Sequence, residues 1–284
     1  MNLKGLYNSG NNVVVSFEVF PPKSIDLIEN FYKELDNLLT LNPKLISLTY
    51  GAGGSNQERS LDIIKNIADK TNVMPHFTCV CASKDKVNEY INQISLLNIK
   101  NILALRGDEP ENCIDVYNDF KYANELVSFI KSNSDLSVAV AGYPEGHIKA
   151  PNLTLDVEFL KKKVEKGADA IFTQMFFDNQ KLFEYLDVLE RKNIDIPVIA
   201  GIMPILNYSQ INKFLSMAKV TLPKKLKNQL EKYQDDSNSI KEIGIDFASE
   251  QCEELISQNI SGLHFYTLNK SYSTTKILNN LSLV

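Results

Sequence analysis

The sequence is poor in the residues that most often mark metal sites and disulfide frameworks. It contains four cysteines, three histidines and no tryptophan. Cys79 and Cys81 form one Cys-x-Cys pair and the other cysteines are distant, a spacing typical of neither a zinc knuckle nor a disulfide framework. His76 and His147 lack metal-ligand spacing, so hydrogen-bonded core histidines are the plainer interpretation and no metal is expected. We expect reduced, buried thiols, with Cys79 and Cys81 in the core.

Other absences narrow the class of protein. No apolar run approaches the roughly 20 residues that a membrane helix needs, and the amino terminus lacks the apolar core of an export signal. The formal net charge of −5 argues against nucleic acid, which usually requires a basic face. A hydrophobic content of 44% and a charged content of 23% are ordinary for a globular protein. We therefore expect a cytoplasmic protein with no membrane or nucleic-acid partner.

Short β-branched runs alternate with stretches of helical period, which predicts βαβ units and a parallel sheet. The apolar runs are "NVVVSFEVF", "KLISLTYG", "VMPHFTCV", "IKNILALRGD", "LSVAVAGYPE", "ADAIFTQMF", "DIPVIAGIMP" and "ISGLHFYTLN". The helical stretches include 25–40, 57–70, 84–98, 116–132, 154–166, 179–192 and 238–258. Eight such units predict a single (β/α)8 barrel domain over residues 1–284, with two extra short helices around Pro223 between the seventh and eighth strands.

An open doubly wound sheet is the main alternative fold. Such a sheet usually carries Gly-x-Gly-x-x-Gly after its first strand. Here the first strand ends in "FEVFPPKS" without glycine, and the glycine-rich turn "YGAGGSN" after the second strand does not match that pattern. The barrel is therefore the favoured fold.

Polar residues at the strand ends are the first candidates for chemistry, because the active site of a (β/α)8 barrel lies at the carboxyl ends of its strands. The opposite strand ends show no comparable set. The candidates are Glu18, Thr49, Tyr50, His76, Arg106, Gly107, Asp108, Tyr143, Glu145, His147, Gln174, His264 and Tyr266.

Glu18 is the least expected of these residues, because a carboxylate interrupts an otherwise apolar strand. Alternation places Ser16 and Glu18 on one face and Phe17 and Val19 on the other. The more apolar face suits the surrounding helices, so Glu18 is expected to point into the barrel mouth with a pKa raised by desolvation. A carboxyl kept protonated near neutral pH can act as a general acid. A salt-bridged structural glutamate remains an equal alternative.

Arg106, Asp108 and Gln174 carry weaker signals. Arg106 is one of only three arginines, and at the end of the strand "ILALRG" it needs an anionic or planar partner. Asp108 in "RGDEP" suits an ordinary turn aspartate. Gln174 is a lone amide in "AIFTQMFF", and burying it unpaired would be costly, so a ligand partner is plausible. Aromatic and amide side chains at one rim fit a flat heteroaromatic ligand.

A set of short motifs, taken in order, resembles the methylenetetrahydrofolate reductase family. The motifs are "SFEVFPPK", "SLTYGAGGS", "PHFTC", "LALRGD", "VAGYPEGH", "FTQMFFD", "GIMPI" and "HFYTLN". The resemblance extends from about residue 13 to about residue 275. It implies a flavin-dependent (β/α)8 barrel that binds FAD and reduces 5,10-methylenetetrahydrofolate to 5-methyltetrahydrofolate. NAD(P)H and the folate would be alternating substrates of one site, in a ping-pong reaction.

The resemblance also implies roles for individual residues. Glu18 matches the general acid that protonates the folate as its five-membered ring opens to an iminium. Asp108 matches an aspartate near flavin and pterin that stabilises this cation. Gln174 would contact both alternating substrates, as would Thr49. Tyr208 stands where relatives often have a stacking phenylalanine, and Lys270 where some have an arginine that contacts folate.

Flavin-contact positions follow from the same resemblance. They are Tyr50, Ala52, His76, Leu105, Arg106, Gly107, Asp108, Tyr122, Ala123, Tyr143, His147, Ala150, Asp156, Lys162 and Lys163. By default the run Lys161-Lys162-Lys163 is a solvated helix face, but the resemblance places Lys162 and Lys163 at the flavin diphosphate. Phe159 replaces a common asparagine, and Lys162 replaces one relative's arginine, with a point charge where arginine could grip bidentately.

The resemblance leaves rival functions open. A non-catalytic folate- or flavin-binding subunit would be expected to lack the acid, yet Glu18 and Asp108 are both present. Another flavin barrel, such as a proline-dehydrogenase-like oxidase, would not be expected to pair "FEVFPPK" with "RGD". Bacterial relatives are usually homo-oligomers, which we expect here. Eukaryotic relatives add a regulatory domain that binds S-adenosylmethionine, and the length of this sequence predicts a bacterial-type enzyme without that inhibition.

Overall fold

The computed structural model describes residues 1–7, 13–49, 57–109 and 118–284. Eight parallel strands follow one another around a closed barrel, each paired with the next and the eighth with the first. The strands are β1 (Val14–Val19), β2 (Leu45–Leu48), β3 (Asn72–Thr78), β4 (Asn101–Leu105), β5 (Ser137–Gly142), β6 (Ala170–Thr173), β7 (Val198–Ile202) and β8 (Gly262–Tyr266). The predicted (β/α)8 barrel is confirmed.

Helices surround the barrel and alternate with the strands. They are α1 (Leu3–Tyr7), α2 (Ile28–Leu39, after a short 3₁₀ turn at Ile25–Leu27), α3 (Gln57–Ile67), α4 (Lys84–Leu96), α5 (Ala123–Asn133), α6 (Leu153–Glu165), α7 (Asn179–Arg191), α8 (Tyr208–Met217), α9 (Lys224–Lys232), α10 (Ser237–Ser257) and α11 (Tyr272–Asn280). The extra helices predicted around Pro223 are α8 and α9, and Pro223 is the N-cap of α9. The predicted set omits α1 and α11.

The helix predicted over 116–132 begins later than expected, at Ala123. Residues 116 and 117 lie outside the described residues, but 118–122 are described and are not helical. Tyr122 has extended backbone angles, and the Glu125 carboxylate accepts hydrogen bonds from the backbone N–H groups of Lys121 and Tyr122. This capping box fixes the start of the helix, because it satisfies donors that have no intrahelical partner.

The amino-terminal helix α1 closes one end of the barrel. The Met1 amino group bonds Asn72 at the start of β3, the Asn101 amide of β4 bonds the Met1 carbonyl, and the Leu3 N–H bonds Ser137 of β5. The α1 side chains pack with an inner apolar cluster that includes Leu3, Leu6, Tyr7, Leu45, Met74, Leu103, Ala139, Ala170, Phe172 and Ile199. A ligand therefore enters from the other end, where the strands have their carboxyl termini.

The outer core lies between strands and helices, and β1 divides its side chains as predicted. Phe17 and Val19 are fully buried in the core shared with the helices. Ser16 and Glu18 face the barrel interior, where Ser16 bonds His264 and Glu18 lines a cavity. The alternation of a half-buried strand therefore decides which side of β1 can carry chemistry.

The cysteines follow the predicted pattern only in part. Cys79 and Cys252 are buried free thiols. Cys81 is disulfide-bonded, so the expectation of a reduced core thiol is wrong for this residue. Cys81 lies in a turn beyond the end of β3, with a backbone φ of 59° and a half-buried side chain, so it is not part of the strand core in which the sequence placed it. Cys113 lies outside the described residues. No helix among the described residues is long and apolar enough to cross a membrane.

Candidate active site

A cavity of about 470 Å³ opens at the carboxyl ends of the strands. This volume lies within the range of small-molecule and cofactor sites. Twelve of the predicted residues line it: Glu18, His76, Leu105, Arg106, Gly107, Asp108, Tyr143, Glu145, His147, Gln174, His264 and Tyr266. They come from β1, β3, β4, β5, β6 and β8 or the loops that follow these strands, so closure of the barrel brings together residues far apart in the sequence.

Glu18 is the carboxyl group of the inner cavity wall. Its side chain is 22% exposed, and its Oε2 lies 3.6 Å from Nε2 of His76. Burial raises the pKa of Glu18 from 4.5 to about 8. The predicted desolvation is therefore present, and the carboxyl is protonated at neutral pH. The salt-bridge alternative finds no support in this contact, because burial lowers the pKa of His76 to about 3 and leaves that ring uncharged.

Beneath Glu18, His264 of β8 occupies the centre of a hydrogen-bonded cluster. Its Nδ1 lies 2.8 Å from Ser16 Oγ and its Nε2 lies 3.2 Å from Ser47 Oγ. The Tyr7 hydroxyl donates to Ser16 Oγ from α1. Burial, with a smaller contribution from His76, lowers the pKa of His264 to about 3. The cluster satisfies buried polar groups without placing a charge beneath the cavity.

The turn after β4 brings a backbone segment close to the cavity. Gly107 has a φ of +81°, and a Cβ added there would lie 2.8 Å from the Thr78 Cβ. Both observations require glycine at this position. Arg106 has an anionic partner, as its position at a strand end predicted, because its Nη2 lies 2.8 Å from Glu109 Oε1. Asp108 is exposed at the cavity wall.

The loop after β5 forms the aromatic side of the cavity. The Tyr143 and His147 rings meet edge to face at a centroid distance of 4.6 Å. Burial, and then the charges of Asp156 and Asp108, raise the pKa of Tyr143 to about 12. Burial raises the pKa of Asp156 above its ordinary value. The charge of Lys163 and the hydrogen bond from the His147 N–H to the carboxylate both lower this pKa, but burial has the larger effect. Asp156 thereby connects α6 to this wall.

Lys163 lies behind the same wall. Its Nζ donates to the Ala141 carbonyl oxygen at 2.7 Å, and burial lowers the pKa of this amine to about 8 despite the charge of Asp156. Lys162 is exposed, with Nζ 5.4 Å from the centroid of the Phe159 ring. The two neighbouring lysines therefore have different surroundings, since only Lys162 lies on an exposed face.

The last part of α8 and the connection from it to α9 form a further wall that sequence reasoning missed. Phe214, Met217, Lys219 and other residues of this segment line the cavity. Thr221 donates its N–H and its hydroxyl to the Glu145 carboxylate, at 3.0 Å and 2.6 Å, and so joins this segment to the loop after β5. The signal available in the sequence was the unusual length of the connection after β7, since long loops of compact domains are usually functional.

The remaining predicted residues do not line this cavity. Thr49 is half-buried and its N–H donates to the Val19 carbonyl. Tyr208 lines a separate pocket of about 330 Å³ beside α8 and α9. Lys270 is exposed and lies 3.6 Å from Glu34. Tyr122, Ala123 and Ala150 lie at the start of α5 and before α6, near this side of the barrel mouth. Tyr50 and Ala52 lie outside the described residues.

No cluster of three or more potential metal-ligating side chains exists among the residues that the structure describes. The chemistry available to the cavity is that of a neutral carboxyl, an exposed carboxylate, an amide and aromatic rings. This set can transfer a proton and can hold a flat, partly polar ligand.

Known proteins with similar sequences share one description. The family model for methylenetetrahydrofolate reductase matches residues 4–282. The chain is 36% identical over 285 residues to the 5,10-methylenetetrahydrofolate reductase of Buchnera aphidicola, covering 100% of this chain and 96% of that protein. It is 34% identical over 269 residues to the Escherichia coli protein of the same name, covering 94% and 90%.

A plant relative is longer. The chain is 36% identical over 285 residues to methylenetetrahydrofolate reductase (NADH) 1 of Arabidopsis thaliana, which covers 95% of this chain but 48% of that protein. The chain therefore spans about half the length of the plant relative.

Solved structures confirm the fold. A Clostridium thermocellum protein described as binding two copies of 5-methyl-5,6,7,8-tetrahydrofolic acid matches with a TM-score of 0.66 over 98% of this chain and 96% of that one, at 15% identity. Oxaloacetate acetylhydrolase matches with a TM-score of 0.53 at 10% identity, covering 96% of this chain and 80% of that one. At such identities the likeness establishes the barrel alone.

Proposed function

We propose, from the premise that this chain belongs to the methylenetetrahydrofolate reductase family, that it reduces 5,10-methylenetetrahydrofolate to 5-methyltetrahydrofolate with NADH or NADPH. The observation that carries the proposal is Glu18, a carboxyl with a pKa of about 8 in the cavity at the carboxyl end of the barrel. Opening the five-membered ring of the folate requires a proton, and a carboxyl that is protonated at neutral pH can supply it.

FAD is the cofactor that we propose, and the residues present fit it. The Tyr143 and His147 rings form one wall of the cavity and the Gln174 amide lies on another. At the turn after β4 the cavity is lined by the backbone of Gly107, where an added Cβ would clash with Thr78. Lys149 and Lys219 at the cavity, with Lys162 on α6, supply positive charge for a diphosphate. When bound, FAD would supply the group that accepts a hydride from the nicotinamide and passes it to the folate.

The chain's own residues would bind, orient and protonate the substrate. Glu18 donates its proton to the folate nitrogen that leaves the methylene carbon, and so becomes a carboxylate. Asp108 supplies a negative charge that stabilises the resulting iminium cation. Gln174 offers an amide donor and acceptor to both alternating substrates. Thr49, Tyr208 and Lys270 remain proposed substrate contacts, as do the flavin contacts that lie outside the cavity lining.

Separate measurements of flavin reduction by NADH and of folate reduction by the flavin test this proposal. Purified protein should absorb as a flavoprotein, bleach with NADH under anaerobic conditions and recover its colour with methylenetetrahydrofolate. In Glu18→Gln, bleaching by NADH should continue, while the folate step should slow by about 10²–10⁴-fold, the usual contribution of a general acid. Glu190→Gln, at an exposed position on α7, is the matched control.

Two results would contradict the proposal. A folate step of ordinary rate in Glu18→Gln would remove Glu18 as the acid. A wild-type protein that binds flavin and folate without turnover would point to the non-catalytic binding subunit instead. The same preparation can test the expected homo-oligomer by its mass in solution, and cell fractionation can test the expected cytoplasmic location.

A further inference from the structure

The buried neighbour of Glu18 has an unused hydrogen-bonding atom. Nε2 of His76 is buried and has no hydrogen-bond partner among the described residues. The side chain of His76 is only 7% exposed, and Nε2 points at Glu18 Oε2 across 3.6 Å. Leaving a buried polar group unpaired costs about 1–3 kcal/mol, so such an atom requires an explanation.

Two other polar residues at the inner cavity, His264 and Tyr266, already have hydrogen-bond partners. Both ring nitrogens of His264 contact serine hydroxyls, and the Tyr266 hydroxyl donates to the Thr173 carbonyl. His76 differs from these residues in having a nitrogen directed at the reacting carboxyl. His264 is therefore a structural histidine, whereas His76 has a nitrogen free to form a hydrogen bond with the Glu18 carboxyl.

We propose that His76 positions Glu18, by donating its Nε2–H to one carboxyl oxygen so that the other oxygen presents the acid proton to the cavity. This inference rests on the proposed function of Glu18 as the acid. Closing the contact from 3.6 Å to an ordinary hydrogen bond needs a small side-chain rotation. Contacts of catalytic acids are often long before substrate binds and tighten in the complex.

The proton balance leaves His76 unchanged through the reaction. The Glu18 O–H bond breaks, a folate N–H bond forms and the carboxylate remains. The hydrogen bond from Nε2–H then becomes charge-assisted and therefore stronger, which favours the product side of the transfer. Solvent protons restore the carboxyl after product leaves. His76 remains neutral, because burial lowers its pKa to about 3.

Other charged and titratable groups face Glu18 and would contribute to its titration. They are His264 and Tyr266 of β8, Tyr143 after β5, and Arg106 and Asp108 after β4. A substitution at His76 removes none of these groups, and its effect on His264 is the smaller contribution to a pKa that burial already lowers. A comparison of His76→Leu with His76→Gln therefore tests the contact between the two side chains.

His76→Leu and His76→Gln form a matched pair, because the glutamine amide nitrogen can replace Nε2 as a donor whereas leucine cannot. The direct measurement is the infrared C=O stretch of the protonated Glu18 carboxyl, isolated by subtracting the spectrum of Glu18→Gln and followed against pH. In the wild-type protein the band should disappear as pH rises through about 8. In His76→Leu the midpoint should rise by about one pH unit because the carboxylate loses a donor, so the ionised fraction at that pH should fall about fivefold. His76→Gln should restore it.

Identical titration of Glu18 in the wild-type protein and in His76→Leu would overturn the inference. So would a shift that His76→Gln fails to reverse in protein with the wild-type circular dichroism spectrum and flavin content. The alkaline limb of the folate half-reaction should move with the infrared midpoint. If the wild-type protein does not reduce folate, the proposed function fails, whereas the infrared comparison still decides whether His76 contacts the carboxyl.

Discussion

Replacing Glu18 by glutamine should stabilise the flavin-free protein, and the gain should increase with pH. The folded chain holds this carboxyl at a pKa of about 8, because burial penalises the charged form. The unfolded chain exposes it to water, where its pKa is ordinary. A carboxyl that burial keeps protonated therefore destabilises the fold whenever the pH is above the ordinary pKa, and glutamine removes this cost.

The sign and size of the effect follow from proton linkage. Below pH 4.5 both states carry the proton and the substitution changes little. Between 4.5 and about 8 only the unfolded state ionises, so the free energy of unfolding falls by about 1.4 kcal/mol per pH unit. The accumulated cost is about 3 kcal/mol at pH 7 and about 5 kcal/mol above the folded pKa. Residual structure and hydration in the unfolded and folded states reduce these values, so a gain of about 2 kcal/mol at pH 7 is expected.

Urea unfolding of both proteins at several pH values, at one protein concentration, measures this difference. Glu34→Gln is an informative control. Burial of Glu34 opposes ionisation, but the hydrogen bonds from Ser271 and the charge of Lys270 prevail and lower its pKa. Glu34 therefore contributes stability above its ordinary pKa that is lost as pH falls, and its substitution should destabilise at neutral pH. A difference for Glu18→Gln that stays constant with pH would refute the raised pKa.

Two further predictions concern the cavity walls. Gly107→Ala should lower the free energy of unfolding by about 1–3 kcal/mol more than Gly146→Ala does. Both glycines have a φ of +81°, but only at Gly107 would the new Cβ clash, at 2.8 Å from Thr78. Equal urea midpoints for the two variants would contradict this. Thr221→Val should raise the KM for the folate several-fold, because it releases Glu145 from the connection between α8 and α9. The free energy of unfolding should fall by less than about 1 kcal/mol, because the pair is exposed. An unchanged KM would show that this contact does not shape the site.

Much of the barrel could be predicted because each βαβ unit carries its own local signal. Alternation along β1 was sufficient to place Glu18 inside, and the length of the connection after β7 was sufficient to predict α8 and α9. The short helix α1 could not be predicted from period, because five residues complete barely one turn and its stability comes from packing under the barrel.

The arrangement inside the cavity was less predictable, because it depends on closure of the barrel. The contacts between His264 and Ser16 join residues 248 positions apart, and the bonds from Thr221 to Glu145 span 76 positions. No local pattern distinguishes such pairs from ordinary core or surface residues. The segment around Phe214 and Met217 has the pattern of a common amphipathic helix, so its place in the cavity wall became visible only in three dimensions.

The interior of this barrel holds two kinds of polar residue, and hydrogen-bond satisfaction separates them. Ser16, Ser47 and His264 satisfy one another, so an apolar replacement there should cost stability by leaving a partner unpaired. One level above, Glu18 and His76 face each other across 3.6 Å, with the Nε2 of His76 unpaired among the described residues. A polar group that already has a hydrogen-bond partner gains little by binding a ligand, whereas an unpaired buried group is stabilised when a ligand supplies the missing hydrogen bond. Functional residues of the barrel mouth are therefore expected to be those whose substitution raises stability while it lowers turnover, and Glu18→Gln is the variant in which both signs can be measured.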